Sequence, residues 1–216
     1  MSLLCGPQAF AQVDAAVLAT PGATAARAPE RRPPRSERTN AAAPGDSWVV
    51  PSAHAVGLMV TMRAGAAVLW PDPFADLSAR RMGRSYRDAY TRWPRWDSSR
   101  PAFEWDGDAW TINVVGHALF GSELYLRPRV CSRRWWEALA FAAVGSALWE
   151  YGFEANAVRP SGLDLWYTPL SGLVLGEARY QGFVFASGLS DPGWRAVLRA
   201  LFDPLGEFER ALGTSC

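Results

Sequence analysis

Polar residues inside otherwise apolar stretches mark where this chain could do chemistry. His117 lies four residues after Asn113 and four before Gly121, and Tyr125 continues the line. Residues four apart share one face of an α-helix. Glu150 and Glu154 repeat that spacing in Trp149-Glu150-Tyr151-Gly152-Phe153-Glu154, where the aromatic flanks do not resemble a solvated face. Asp164, Thr168 and Gly172 line up in the same way, with Gly176 extending the stripe, Glu177 beside it and Ser161 just ahead. Glycines at this spacing favour tight helix contact.

Should the three faces converge, His117, Glu150, Glu154 and Asp164 meet in one apolar-walled pocket. Carboxylates and an imidazole there could take a divalent cation. A carboxyl whose pKa is raised by desolvation could instead act as general acid or base beside His117. The same groups could also satisfy one another as buried struts, as polar groups in a low dielectric must. In the catalytic version His117, Glu150 and Asp164 carry the reaction. Asn113, Glu154, Ser161, Thr168 and Glu177 then contact the ligand. These residue types select no particular metal or other cofactor. A di-iron bundle needs Glu-x-x-His pairs, and neither Glu150 nor Glu154 begins one.

The elements that must position these residues read as helices. An apolar run over residues 53–70 is interrupted by His54 and Arg63 and stops at Pro71-Asp72-Pro73. It is near the lower limit for a membrane span, but the central arginine argues against deep lipid exposure. An Arg-rich amphipathic helix follows over 74–93, then a loop rich in Trp and Pro. Three main helices are expected over 108–126, 133–154 and 163–185, with Pro128 just beyond the first and Pro160-Ser161-Gly162 opening the third. Ser161 or Asp164 can cap that third start. A short amphipathic helix over 192–202 ends the series. Short connections make the main helices antiparallel neighbours. The expected fold class is all-α: an antiparallel bundle of about five helices behind a disordered N-terminal arm, with membrane association left open.

The rest of the chain narrows the function classes. Net charge is +1, from 22 basic and 21 acidic residues, so no global field points to nucleic acid. Eleven tryptophans are the anomaly of the composition, fitting either a Trp-rich core or a membrane interface. Cys5, Cys131 and Cys216 have no CxxC spacing and the chain has 2 histidines, which argues against a Cys/His zinc site and against a disulfide framework. No Ser-His-Asp spacing, phosphate loop or dinucleotide fingerprint is present. Ala9-Phe10-Ala11 before Gln12 fits a small-x-small cleavage site, so residues 1–11 read as the remnant of a signal peptide. Residues 12–47 read as a disordered Pro/Arg/Ala-rich linker, 48–103 as N-terminal helices and a Trp/Pro-rich loop, 104–185 as the core domain, and 186–216 as an amphipathic helix and tail.

A resemblance gathers the same residues. The pattern Asp108, Asn113, His117, Gly121, Tyr125, then Ser146, Trp149-Glu150-Tyr151 and Glu154, then Ser161, Asp164-Leu165, Thr168-Pro169, Gly172 and Gly176-Glu177 resembles the bacterial family of domain of unknown function 3943 over about residues 104–180. That family implies a placement but no reaction. More loosely, the order of His, Glu and Ser-x-x-Asp is similar to VanZ-like membrane proteins, which implies an envelope location. This chain departs from those in lacking clear spanning helices. Residues and resemblance together lead to the expectation of an exported helical protein, periplasmic or outer-membrane-associated, with membrane or other envelope components as partners. Its role is structural or ligand-binding. The alternative is a hydrolase acting on a lipid or cell-wall-linked substrate through His117 with Glu150 and Asp164, with a divalent metal as an optional helper. Oligomeric state is not encoded in any of these patterns.

Overall fold

A computed structural model describes residues 47–214 and 216. The signal remnant and nearly all of the expected linker lie outside the described residues. Within them the chain is helical. In order come α1 (Val49–Leu69), α2 (Pro71–Phe74), α3 (Ala79–Thr91), a π-helical turn (Thr111–Gly116), α4 (His117–Val130), α5 (Trp135–Leu148), a second π-helical turn (Trp149–Glu154), α6 (Asp164–Ser187), α7 (Pro192–Phe202) and α8 (Pro204–Ala211). The all-α class holds, with more helices than the five expected. The helix expected over 74–93 begins only at Ala79, because Pro71-Asp72-Pro73 opens the short α2 instead of a plain stop. The tail holds two helices because Asp203 ends α7 and then caps α8, accepting from the Gly206 amide at 3.1 Å, with Pro204 at the first helical position. Pro128 sits inside the last turn of α4, not beyond it.

The centre of the bundle is α4, buried continuously from Phe120 to Pro128. A helix covered on all sides must be packed by neighbours all round, and two glycine contacts bring α6 close. A Cβ on Gly172 would lie 2.6 Å from the carbonyl oxygen of Gly121, and one on Gly176 would lie 2.8 Å from the Tyr125 ring. No other residue type permits that approach, so the glycine stripe sets how closely the two helices meet. Gly145 does the same for α5 against Leu124. Met59 from α1, Phe120, Leu124 and Tyr125 from α4, Ala138 and Ala142 from α5, and Trp149 form the shared apolar core.

Two details revise the reading of the sequence. Cys131 and Cys216 are joined by a disulfide with their Cα atoms 5.1 Å apart, where none was expected. Their separation of 85 residues hides the pairing, because only the fold returns the tail to the end of α4. The second concerns α1, the one helix among the described residues that is long and apolar enough to cross a membrane. Its Arg63 is turned inward, donating to Asn156 Oδ1 and to the Phe74 carbonyl. His54 is likewise buried against Glu209. The outward face keeps Val49, Val56, Val60 and Val68 and carries no charge.

Candidate functional site

The two π-helical turns flank the site. Such turns add one residue to a helical turn and recur at functional sites. The first carries Asn113 and hands over directly to His117; the second carries Glu150 and Glu154. The third wall is the N-terminus of α6, where Asp164 opens the helix and Thr168 follows one turn later. A loop that the sequence had assigned to a preceding segment closes the fourth side. Its Arg95 forms an isolated parallel bridge with Ser161, through Arg95 N–H to the Pro160 carbonyl at 2.7 Å and Gly162 N–H to the Arg95 carbonyl at 3.0 Å.

His117 stands between two α6 side chains. Its Nδ1 is 2.9 Å from Thr168 Oγ1 and its Nε2 is 3.4 Å from Asp164 Oδ2. Burial lowers the imidazole pKa to about 4, against the opposing charge of Asp106, so the ring is neutral at physiological pH. With Nδ1–H donating to Thr168, the Nε2 lone pair faces Asp164, the tautomer a metal ligand requires. Glu150 is fully buried, and its Oε2 accepts the Ser161 amide at 2.7 Å. Ser161 Oγ accepts the Asp164 amide at 3.2 Å, and Ser146 donates to the Asp164 carbonyl at 3.0 Å.

What these bonds leave over is acceptor capacity. Glu150 Oε1, Asp164 Oδ1, Asp106 Oδ2 and Asn113 Oδ1 are buried acceptors without a donor among the described residues. Asp108 and Glu154 add two more carboxylates beside them, and against these acids stand Arg95, 3.0 Å from Asp108, and Arg100 at the outer edge. The acids respond as crowded buried carboxylates do. Burial, with the charge of Asp106 behind it, pushes Asp164 up to about 8. Burial and the Glu154 and Asp164 charges raise Glu150 well above the carboxylate range. Burial takes Glu154 to about 7 although Arg95 opposes it. Asp106 is the exception: burial raises it, but hydrogen bonds with Ser161, Asn113 and the Asp108 backbone outweigh that and keep it ionised.

One atom each from His117, Glu150 and Asp164 falls within 4.8 Å of the other two. Metal–ligand bonds of about 2.0–2.6 Å place ligands on one ion roughly 4–5 Å apart or closer. The donor set fits a divalent cation. Beside the cluster lies a cavity of about 610 Å³, walled by Met62, Ala66, Leu69, Ile112, Phe120 and Trp149 and reaching Asp108, His117 and Glu154.

The structure thus brings together seven of the residues singled out from the sequence: His117, Glu150 and Asp164 at the centre, with Asn113, Glu154, Ser161 and Thr168 around them. Glu177 is elsewhere, about 20 Å along α6 from Asp164 at 1.5 Å per residue. It accepts from Arg129 Nε at 2.8 Å and from Tyr125 at 2.8 Å. Helical spacing missed Asp106 and Arg95, which come from a loop. The Asp106-Gly107-Asp108 turn was the available signal: Gly107 takes φ +103°, and Asp106 Oδ1 accepts both the Asp108 amide and Asn113 Nδ2.

Residues 102–205 match the model of the family described as Domain of unknown function (DUF3943). No curated protein and no solved structure matches the chain. The match spans the whole cluster from Asp106 to Asp164, with α4 and α6 that hold it, and so residues 102–205 belong to the DUF3943 family.

Proposed function

We propose that this is an envelope-associated helical protein whose DUF3943 domain binds a divalent cation at His117, Glu150 and Asp164. The observation that carries the reading is the convergence of three ligand atoms within 4.8 Å, two of the three residues having a buried oxygen with no donor. A buried carboxylate without a partner costs several kcal/mol, and a cation removes that cost for several at once. One imidazole nitrogen with carboxylate oxygens suits zinc, manganese or ferrous iron better than magnesium, which tends to keep its waters. Thr168, Ser161 and Ser146 hold the ligands in place rather than binding the ion themselves.

The envelope half of the reading draws on other features. Disulfides persist in oxidising compartments, which supports export through the Cys131–Cys216 bond. The uncharged outer face of α1, with Trp48 and Trp70 at its two ends, supports a seat against lipid. Fractionation tests this half: recovery of the protein in the cytosol with reduced thiols overturns it. The cation is tested by titrating Mn²⁺ or Zn²⁺ into chelator-treated protein in a calorimeter. One equivalent should bind and the Glu150→Gln, Asp164→Asn protein should bind none; equal uptake by both overturns the site.

A second reading, hydrolysis of an acyl ester, is favoured by the apolar cavity reaching His117 and Glu154. Glu154, with its pKa near 7, is matched to proton transfer at neutral pH.

A further inference from the structure

The cavity beside the cluster has its own chemistry. Its volume of about 610 Å³ lies within the range of small-molecule sites. One wall is a single stripe of α1, Met62, Gly65, Ala66 and Leu69, at helical i, i+3, i+4, i+7 spacing. Gly65, and Gly116 among the facing residues, have nothing within 4 Å of a would-be Cβ, so both look into open space. The charged lining groups are Asp72, Asp108 and Glu154, with neutral His117 beside the last two. All three are acids, but Asp72 is paired with Arg81 at 3.2 Å and Asp108 with Arg95 at 3.0 Å, which leaves Glu154 as the lining acid with no ion pair among the described residues. The rim continues into exposed Leu69, Trp70 and Ile112, an apolar approach of the kind a lipid-derived ligand uses.

We propose that this cavity binds the acyl chain of a single-chain neutral amphiphile, an acyl ester such as a monoacylglycerol, with its polar head turned towards His117 and Glu154. The apolar walls take the chain by removing it from water. Glu154 discriminates between heads: a fatty-acid carboxylate meets another carboxylate there, whereas an uncharged ester with hydroxyl groups can donate to it. The proposal deepens the cation-site reading and rests on it for the head's surroundings, while chain binding stands on the cavity alone.

The test uses chelator-treated protein and 1-monopalmitoylglycerol below its aggregation threshold, with binding read by native mass spectrometry and tryptophan fluorescence. One molecule should bind, and palmitate at pH 8 should bind at least tenfold more weakly. Gly65→Leu places a side chain in the cavity at a helix-interior site where leucine is the better helix former, so the variant should fold with an unchanged melting point. It should weaken monopalmitoylglycerol at least tenfold and leave Mn²⁺ uptake as in the parent. Gly65→Ala should weaken it less. Absence of monopalmitoylglycerol binding, equal binding of palmitate, or full binding by a folded Gly65→Leu protein each overturns the proposal. Loss of Mn²⁺ uptake in the parent, with lipid binding intact, overturns the cation site and spares this one.

Discussion

The bundle buries two groups of charged side chains, and they are built on opposite terms. Where α4 meets α1, α6, α7 and α8, Glu123, Asp203, Glu207 and Glu209 face Arg127, Arg179, Arg199 and Arg210, with His54 between Glu123 and Glu209. Each acid there has a guanidinium partner. At the other end of α4, Asp106, Asp108, Glu150 and Glu154 share Arg95, with Arg100 at the edge and Asp164 packed among them. The effect shows in the carboxyls themselves. Burial raises Glu123, but His54 and Arg179 bring it below its ordinary value; Glu150 and Asp164, equally deep, stay raised. Burial therefore does not distinguish a strut from a site. Charge balance does: the first group is complete as it stands, and the second lacks positive charge.

The largest effect should come from breaking the balanced group. Asp203→Asn leaves the buried Arg127 with only Glu209, 3.4 Å away, opposite it, and truncating one partner of a buried pair typically costs about 3–5 kcal/mol. Urea denaturation at neutral pH should show that loss, and a loss under ~1 kcal/mol would remove the contrast. Next comes the contact both groups share. Gly172→Ala forces α4 and α6 apart at Gly121 and should cost roughly 1–3 kcal/mol, with cation uptake falling as Asp164 leaves its place opposite His117.

The third test is pH. Asp164 sits at about 8 when folded against an ordinary 3.8, and Glu154 at about 7 against 4.5. A raised acid favours folding below its unfolded pKa, and that support is lost as pH rises through the folded value. His117, at about 4 against 6.5, acts oppositely: its share is present above 6.5 and lost as pH falls towards 4. Above 6.5 only the acids still titrate, so cation-free protein should lose stability between pH 6.5 and 8, and saturating Mn²⁺ should abolish the loss. A flat melting profile across that window would mean the acids are balanced after all.

Smaller still is Asp164→Asn. Removing charge from the crowded group should leave cation-free stability at pH 8 unchanged or up by about 1 kcal/mol, the reverse of Asp203→Asn. A clear destabilisation would make the cluster a strut. Glu177→Gln should do least. Arg129 is the main cause holding Glu177 at about 2, so its contribution is present above pH 4.5 and fades as pH falls towards 2. A part-exposed pair of this kind is worth roughly 0.2–1 kcal/mol, and cation uptake should not change.

The helices were legible from the sequence because their apolar period and their proline and glycine punctuation are local properties. Thus α6 and α7 were expected within a residue or two of where they lie. The four-residue spacings in α4 and α6 also named His117, Asp164 and Thr168, since a helix places such residues on one face whatever else surrounds it. Glu177 shows the limit of that logic: the stripe continues along α6, but the pocket does not. Asp106 and Arg95 show another, because a loop's direction is fixed by what it packs on.

What the sequence by itself determined is the all-α class, the close glycine seam between α4 and α6, and the side chains that could meet. Tertiary structure alone decided which acids receive an arginine, that Arg63 turns inward, that Cys131 reaches Cys216, and that Glu150 and Asp164 keep unpaired oxygens beside an apolar cavity. The reason is physical. Periodicity is carried by neighbours along the chain, whereas charge compensation, disulfide pairing and empty volume depend on segments that only packing brings together.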